Sequence, residues 1–138
     1  MMTRLTDITL SHPENLCAKY IVALKRDGVL DALSPEEREK LFKCIKTGLD
    51  NPDSGLGCYA MEPSDYDKFA FFFDKVCNDY HKNPMGDKIH STNWSLDGVE
   101  GLPDDGVLDI SKLGLKDPLS MRVRVGRNLT SFPLPGSI

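Results

Sequence analysis

Two groups of residues in this chain have the types and spacing to do chemistry. The first is the run Leu119-Ser120-Met121-Arg122-Val123-Arg124-Val125-Gly126-Arg127. Its strict alternation predicts a half-buried β-strand, because side chains along a strand point to opposite faces with a period of two. Leu119, Met121, Val123 and Val125 would face a core, with Ser120, Arg122 and Arg124 on the other side. Two guanidiniums so placed stand roughly 6.5–7 Å apart. That spacing suits a di- or triphosphate and is unfavourable when no anion is present. No partner strand is evident in the 118 residues before it. The sequence therefore reads as part of a larger protein, cut just after a phosphate-binding strand begins.

The second group is Asp53-Ser54-Gly55-Leu56-Gly57-Cys58-Tyr59. Two glycines one residue apart let the backbone bend sharply and approach a small ligand. Backbone amides and carbonyls there could hold a carboxylate or amine, with the Tyr59 hydroxyl as a further polar contact. A lone G-x-G is a weak signal, and neither a Walker motif nor a full dinucleotide fingerprint accompanies it. On these residues alone, a plain surface loop between helices is the favoured reading.

The elements that must position these groups are mostly helical. Glu14 to about Asp27 carries Leu16, Cys17, Tyr20, Ile21 and Leu24 in a 3-4 pattern that gives one apolar stripe. Ser34 reads as an N-cap, Pro35 as the first helical residue and Glu37 as the capping-box partner. Leu41, Phe42 and Ile45 would form that helix's buried stripe, and Gly48 its C-cap. A third helix opens at Ser64 with Asp67 as box partner. It carries Tyr66, Phe69, Phe73, Val76, Cys77 and Tyr80, and Asn83-Pro84 ends it. From Met85 to about Pro118, Gly, Asp, Pro, Ser and Asn dominate without a helical period, so this stretch reads as a long connector. Trp94 would anchor that connector to a helix. Thr130 to Ile138 reads as an extended tail.

Composition narrows the function. The chain has 138 residues, a net charge of −4 and 28% charged residues, which is ordinary for a soluble domain with a real core. Nucleic-acid binding through a basic surface is excluded on that charge. Three arginines and no acid follow Met121, whereas Asp97 to Asp109 holds five acids and no base. A basic strand in an acidic protein suggests a local anion site. Cys17, Cys44, Cys58 and Cys77 lack C-x-x-C or metal-ligand spacing and read as small hydrophobes in a reduced, cytoplasmic setting. Cys58 is expected to be a packed thiol. His12, His81 and His90 are given surface or capping roles, and no metal ligands are expected. No run approaches the length of a membrane span.

Three segments, in order, resemble the phosphagen (ATP:guanidino) kinases, and most of all the N-terminal part of arginine kinases. Asp53-Ser54-Gly55-Leu56-Gly57-Cys58-Tyr59 resembles their guanidino-specificity loop. Phe72-Phe73-Asp74-Lys75-Val76-Cys77-Asn78-Asp79-Tyr80-His81 resembles the segment that follows it. Ser120-Met121-Arg122-Val123-Arg124-Val125-Gly126-Arg127-Asn128 is similar to their Ser-Thr-Arg-Val-Arg-x-Gly-Arg-Ser strand. Met121 departs from the small hydroxyl residue usual at its position.

The resemblance implies a mainly α chain in three parts. Residues 1–84 would be a small helical guanidino-substrate domain and 85–118 a connector. Residues 119–138 would hold the first β-strand of an α/β catalytic domain whose remainder is missing. It implies that Ser54, Gly55, Leu56, Gly57 and Tyr59 bind the amino-acid end of a guanidine. Asp53 would pair with a catalytic-domain arginine on domain closure, and Arg122 and Arg124 would hold nucleotide phosphates. Arg127 falls on the apolar side of the alternation and would serve structure. The implied reaction is reversible phosphoryl transfer between MgATP and a guanidine such as arginine, for ATP buffering. Mg2+ would come with ATP or ADP in the complete enzyme. The expected partners are the guanidine and ATP/ADP, with no nucleic acid and no membrane. The catalytic residues would lie beyond Ile138, so this chain alone should be inactive. An uncovered strand edge would also favour self-association. The alternative is a non-catalytic helical binding or dimerisation module that keeps the family fold.

Overall fold

The computed structural model describes residues 2–89, 91–92, 94–107, 109–114, 120 and 122–137. Among the described residues five α-helices follow in order: α1 (Met2–Ser11), α2 (Leu16–Arg26), α3 (Pro35–Asp50), α4 (Ser64–Lys68) and α5 (Ala70–Tyr80). Short 3-10 turns occur at Val29–Ala32, Ile110–Leu113 and Pro135–Ser137. The chain divides into two units. One is Met1–Lys88 with Asn128–Ile138, and the other is Ile89–Arg127.

In the first unit α2 packs against α1, α3 and α5. Cys17, Ala18, Ile21 and Leu24 of α2 meet Leu41, Cys44 and Ile45 of α3 and Phe72, Phe73 and Val76 of α5 in one core, all of them buried. Each fully buried large apolar side chain of this kind contributes about 1.5–3 kcal/mol. The first helix is not separately foreseen in the sequence. Of its apolar residues Leu5 and Ile8 are buried against the core, while Leu10 is exposed. Arg4 reaches across to donate a hydrogen bond from Nη2 to the Leu49 carbonyl at 2.6 Å, satisfying an orphan carbonyl near the end of α3.

The start of α3 matches its sequence signals. Glu37 N donates to Ser34 Oγ at 3.2 Å, Ser34 N donates to Glu37 Oε2 at 2.9 Å, and Pro35 stands at the first helical position. Its end does not. The helix runs past Gly48 to Asp50, so Gly48 is an interior residue rather than a C-cap. Phe42 is 37% exposed, because it sits beside the stripe formed by Leu41 and Ile45 rather than on it.

The third expected helix is two, broken at Phe69. Neither Ser64 nor Asp67 makes a capping box, since Pro63 holds the N-cap position without a side-chain bond. Asp65 does the holding instead. Its Oδ2 accepts from the amides of Met61 and Glu62, both at 3.0 Å, and its Oδ1 lies 3.0 Å from Lys40 Nζ. The Lys40 bond and the two amide bonds outweigh the cost of burial and keep this fully buried carboxyl below the usual range. Tyr66, Cys77 and Tyr80 are exposed, while Phe69, Phe72, Phe73 and Val76 form the aromatic centre of the core. Asp79 ties α5 back to α2, accepting from Lys19 Nζ at 2.6 Å and the Tyr20 hydroxyl at 2.9 Å.

The second unit has little buried apolar surface among its described residues. Trp94, read from the sequence as an anchor, is 89% exposed, and Ile89, Leu96, Val99 and Val107 are exposed as well. No β-strand occurs among the described residues. The expected strand is therefore not formed at Ser120 or Arg122–Arg127, and Val123 and Val125 are 85% and 79% exposed. Leu119 and Met121 lie outside the described residues. Alternation prepares a face, but a strand also needs a neighbour for its backbone donors and acceptors. None of residues 122–127 makes a backbone–backbone hydrogen bond to another described residue.

Candidate functional site

The loop after α3 owes its shape to the start of α2. The first amides of a helix have no partner within it. Here Leu16 N donates to Gly55 O and Cys17 N to Leu56 O, both at 3.0 Å. Asn15 completes the junction and is fully buried. Its Oδ1 accepts from Ala18 N, capping α2, while its Nδ2 donates to Gly48 O and Pro52 O, each bond 3.0 Å long. From the other side, Gly48 N donates to Gly57 O and Tyr59 N to Cys44 O, both at 2.8 Å.

These contacts explain both glycines at the crossing. A Cβ on Gly48 would lie 2.5 Å from Gly57 O, closer than real Cβ atoms come. Gly57 has φ +70°, and a Cβ there would meet Asn15 Oδ1 and Cys17 Cβ, each at 2.8 Å. Only glycine allows α3 and the loop to touch backbone to backbone at this point. Gly55, by contrast, has open space around it.

The same bonds orient the loop's amides. A trans peptide holds its N–H opposite its C=O. With Gly55 O and Leu56 O drawn toward α2, the N–H groups of Leu56 and Gly57 face the other way. Gly57 N donates to Ser54 Oγ at 3.0 Å. The amides of Gly55 and Leu56 donate to no other group among the described residues. Beside them Tyr59 is 55% exposed and Leu56 39% exposed, and Asp53 is exposed too. The result is a rigid turn offering free backbone donors, a hydroxyl and a phenol, which suits the carboxylate end of a small molecule.

Cys58 is buried directly behind this turn, as expected for a packed thiol. Burial pushes its pKa up to about 12 and that of Cys44 up to about 11, and raises that of Cys17 in the same direction, while partial desolvation and the nearby Asp74 carboxylate raise that of the exposed Cys77. All four stay protonated near neutral pH, so none is poised as a nucleophile. Among the described residues, no three His, Cys, Asp or Glu side chains gather as a metal-binding group, and no helix is long and apolar enough to cross a membrane.

Arg122 and Arg124 belong to the other unit, where both are exposed and neither is paired with an acid among the described residues. Arg127 donates from Nη1 to the neighbouring Gly126 carbonyl at 2.7 Å. The loop residues Ser54, Gly55, Leu56, Gly57 and Tyr59 thus come together in one turn, and Arg122 and Arg124 are exposed within the other unit. The sequence reading missed Asn15 and Gly48. Only the H-P-x-N stretch before α2 hinted at a cap, and nothing local marks Gly48 as a crossing point.

Comparison with known proteins bears on the same residues. The family model described as ATP:guanido phosphotransferase, N-terminal domain, matches residues 30–78, a span that contains the whole loop. The arginine kinase Oct f 2 of Amphioctopus fangsiao is 41% identical over 100 residues, covering 69% of this chain and 25% of its own length. Arginine kinase 1 of Drosophila melanogaster is 30% identical over 132 residues, covering 91% of this chain and 33% of its own. The arginine kinase of Turbo cornutus is 42% identical over 97 residues, covering 67% of this chain and 24% of its own. The chain thus spans about a quarter to a third of the length of the curated relatives it matches.

Proposed function

Because the chain belongs to the phosphagen (ATP:guanido) kinase family and corresponds to its N-terminal part, we propose that it supplies the guanidine-gripping half of an arginine kinase-like phosphotransferase. The observation that carries this reading is the turn itself. The start of α2 takes the carbonyls of Gly55 and Leu56, which leaves the Leu56 amide facing outward and the Gly55 amide without an acceptor. A carboxylate of an amino-acid guanidine would accept from those two amides and from the Ser54 hydroxyl, with Tyr59 closing over it. Asp53, exposed at the loop's entrance, would pair with an arginine of the remaining protein when the site closes.

Arg122 and Arg124 would take nucleotide phosphates. Guanidinium forks meet phosphate oxygens in bidentate fashion, and no described acid competes for them. Phosphoryl transfer needs little covalent chemistry from the protein and depends on alignment and neutralised charge. A rigid grip on one substrate and free cations for the other are the parts such alignment needs. Mg2+ would come with ATP or ADP in the complete enzyme. By itself the chain would bind without catalysing, and ATP buffering would belong to the complete enzyme in the cytoplasm.

The test is a titration of the isotopically labelled chain with L-arginine and with agmatine, which lacks the carboxylate. The reading predicts that L-arginine shifts the amide resonances of Gly55 and Leu56 and that agmatine at equal concentration does not. Equal responses to both, or a response to neither, would overturn it.

A further inference from the structure

The sequence after the arginines ends in a turn that closes against the loop's outgoing limb. Leu134 is half-buried and packs on the core. Its carbonyl accepts from Ser137 N at 3.0 Å and from Ser137 Oγ at 2.8 Å, which folds residues 134–137 into a tight turn. The turn lays the backbone of Gly136 directly on Tyr59, Ala60 and Met61. A Cβ at position 136 would stand 2.6 Å from Met61 Cε, 2.9 Å from Ala60 O and 2.9 Å from Tyr59 Cβ. Met61 Cε is the end of a flexible chain and could move. The Ala60 carbonyl and Tyr59 Cβ cannot move without carrying the backbone of residues 59–60 with them. Gly136 is not among the glycines with positive φ, so closeness of approach, and not backbone conformation, makes glycine the fitting residue here.

Tyr59 is therefore held from two sides. Its amide is given to Cys44 O of α3 at 2.8 Å, and its Cβ rests against Gly136. Fixing the backbone amide and the first side-chain carbon leaves the phenol only its own rotations while the ring stays exposed. We propose that Gly136 is a positioning residue for the substrate loop, and that the Leu134–Ser137 turn sets where Tyr59 meets the amino-acid end of the guanidine. This inference rests on the guanidine reading of the loop given above. It also gives the stretch 128–137 a purpose: the chain leaving Arg127 turns at Leu129–Phe132, where Phe132 N donates to Leu129 O at 3.0 Å, and then reaches the clamp, so the segment proposed to hold phosphate is covalently joined to the part that sets the guanidine grip.

Two variants of opposite kind test this in the 138-residue chain. Gly136→Ala adds bulk at the contact, and Leu134→Ala removes the anchor without adding any. Both are expected to shift the Met61 methyl and Tyr59 amide resonances and to weaken L-arginine binding about fivefold, while the Ser34–Glu37 cap resonances stay in place. If Gly136→Ala does not fold, Leu134→Ala decides alone. Wild-type amides at Gly55, Leu56 and Tyr59 that ignore L-arginine would overturn the guanidine reading, and the positioning role with it. A wild-type chain that binds, beside folded variants that bind equally well, would overturn the role of Gly136 and leave the guanidine reading standing.

Discussion

The loop at residues 52–59 and the arginine segment at 122–127 carry the two strongest functional signals in this chain, yet they are built in opposite ways. Every carbonyl from Gly55 to Gly57 is taken by an amide of α2 or α3, and a buried asparagine fills the corner. The arginine segment has exposed valines on either side of Arg124 and no backbone–backbone bonds among the described residues. The contrast separates two kinds of candidate site. One is preorganised by its own chain, so its geometry is a property of the fold. The other supplies charge at a known spacing in sequence, and its geometry depends on what it meets.

A glycine substitution in each region gives the largest expected difference. Gly57→Val would force a β-branched side chain into positive φ and onto Asn15 and Cys17, and should cost about 3 kcal/mol or more in urea unfolding. Gly126→Ala, with nothing within 4 Å, should stay within about 0.5 kcal/mol of wild type. Similar losses at both positions would erase the contrast.

Asn15→Ala comes next. It removes the cap of α2 and leaves Gly48 O and Pro52 O without their side-chain donor, which should cost about 2 kcal/mol. The damage should concentrate in the loop, with the amides of Gly55 to Gly57 moving while those of Val123 to Gly126 do not.

The smallest effect is one of pH. The Lys19 ammonium and then the Tyr20 hydroxyl hold the Asp79 carboxyl down to about 2, against an ordinary value of 3.8. A carboxyl depressed by folding adds stability that is present above its unfolded pKa and lost as pH falls through the folded one. Between about pH 4 and pH 2, wild type should therefore lose stability faster than Asp79→Asn. Both should keep the loop's resonances at neutral pH, because this bond joins α2 to α5 away from residues 52–59. Parallel acid-unfolding curves would remove Asp79 from the account.

Local signals were legible wherever they act locally. The Ser34-Pro35-Glu37 start of α3 needs only its own turn, and it formed as written. The family was legible through the resemblance of three segments, although the loop's residues alone favoured an ordinary turn. How the loop is held was not legible, because Asn15 reaches it at Pro52 from 37 positions away and Gly48 meets Gly57 from nine. Gly48 was misread for the same reason: a glycine near a helix end suggests a C-cap, and only the tertiary crossing shows that it serves a close approach. Asp65 displaced the Ser64–Asp67 box because a buried carboxylate with two amides and Lys40 outweighs an exposed cap. The alternation at 119–125 describes which faces could separate, and it carries no information about whether a neighbouring strand is there to pair with.

Amide hydrogen exchange on the wild-type chain tests the central contrast most directly. The account predicts that Leu16, Cys17, Gly48 and Tyr59, whose amides pin the loop, exchange at least ~100-fold more slowly than an open chain, while Val123 to Gly126 exchange near the open-chain rate. Loop-pinning amides that exchange as fast as those of the arginine segment would contradict it.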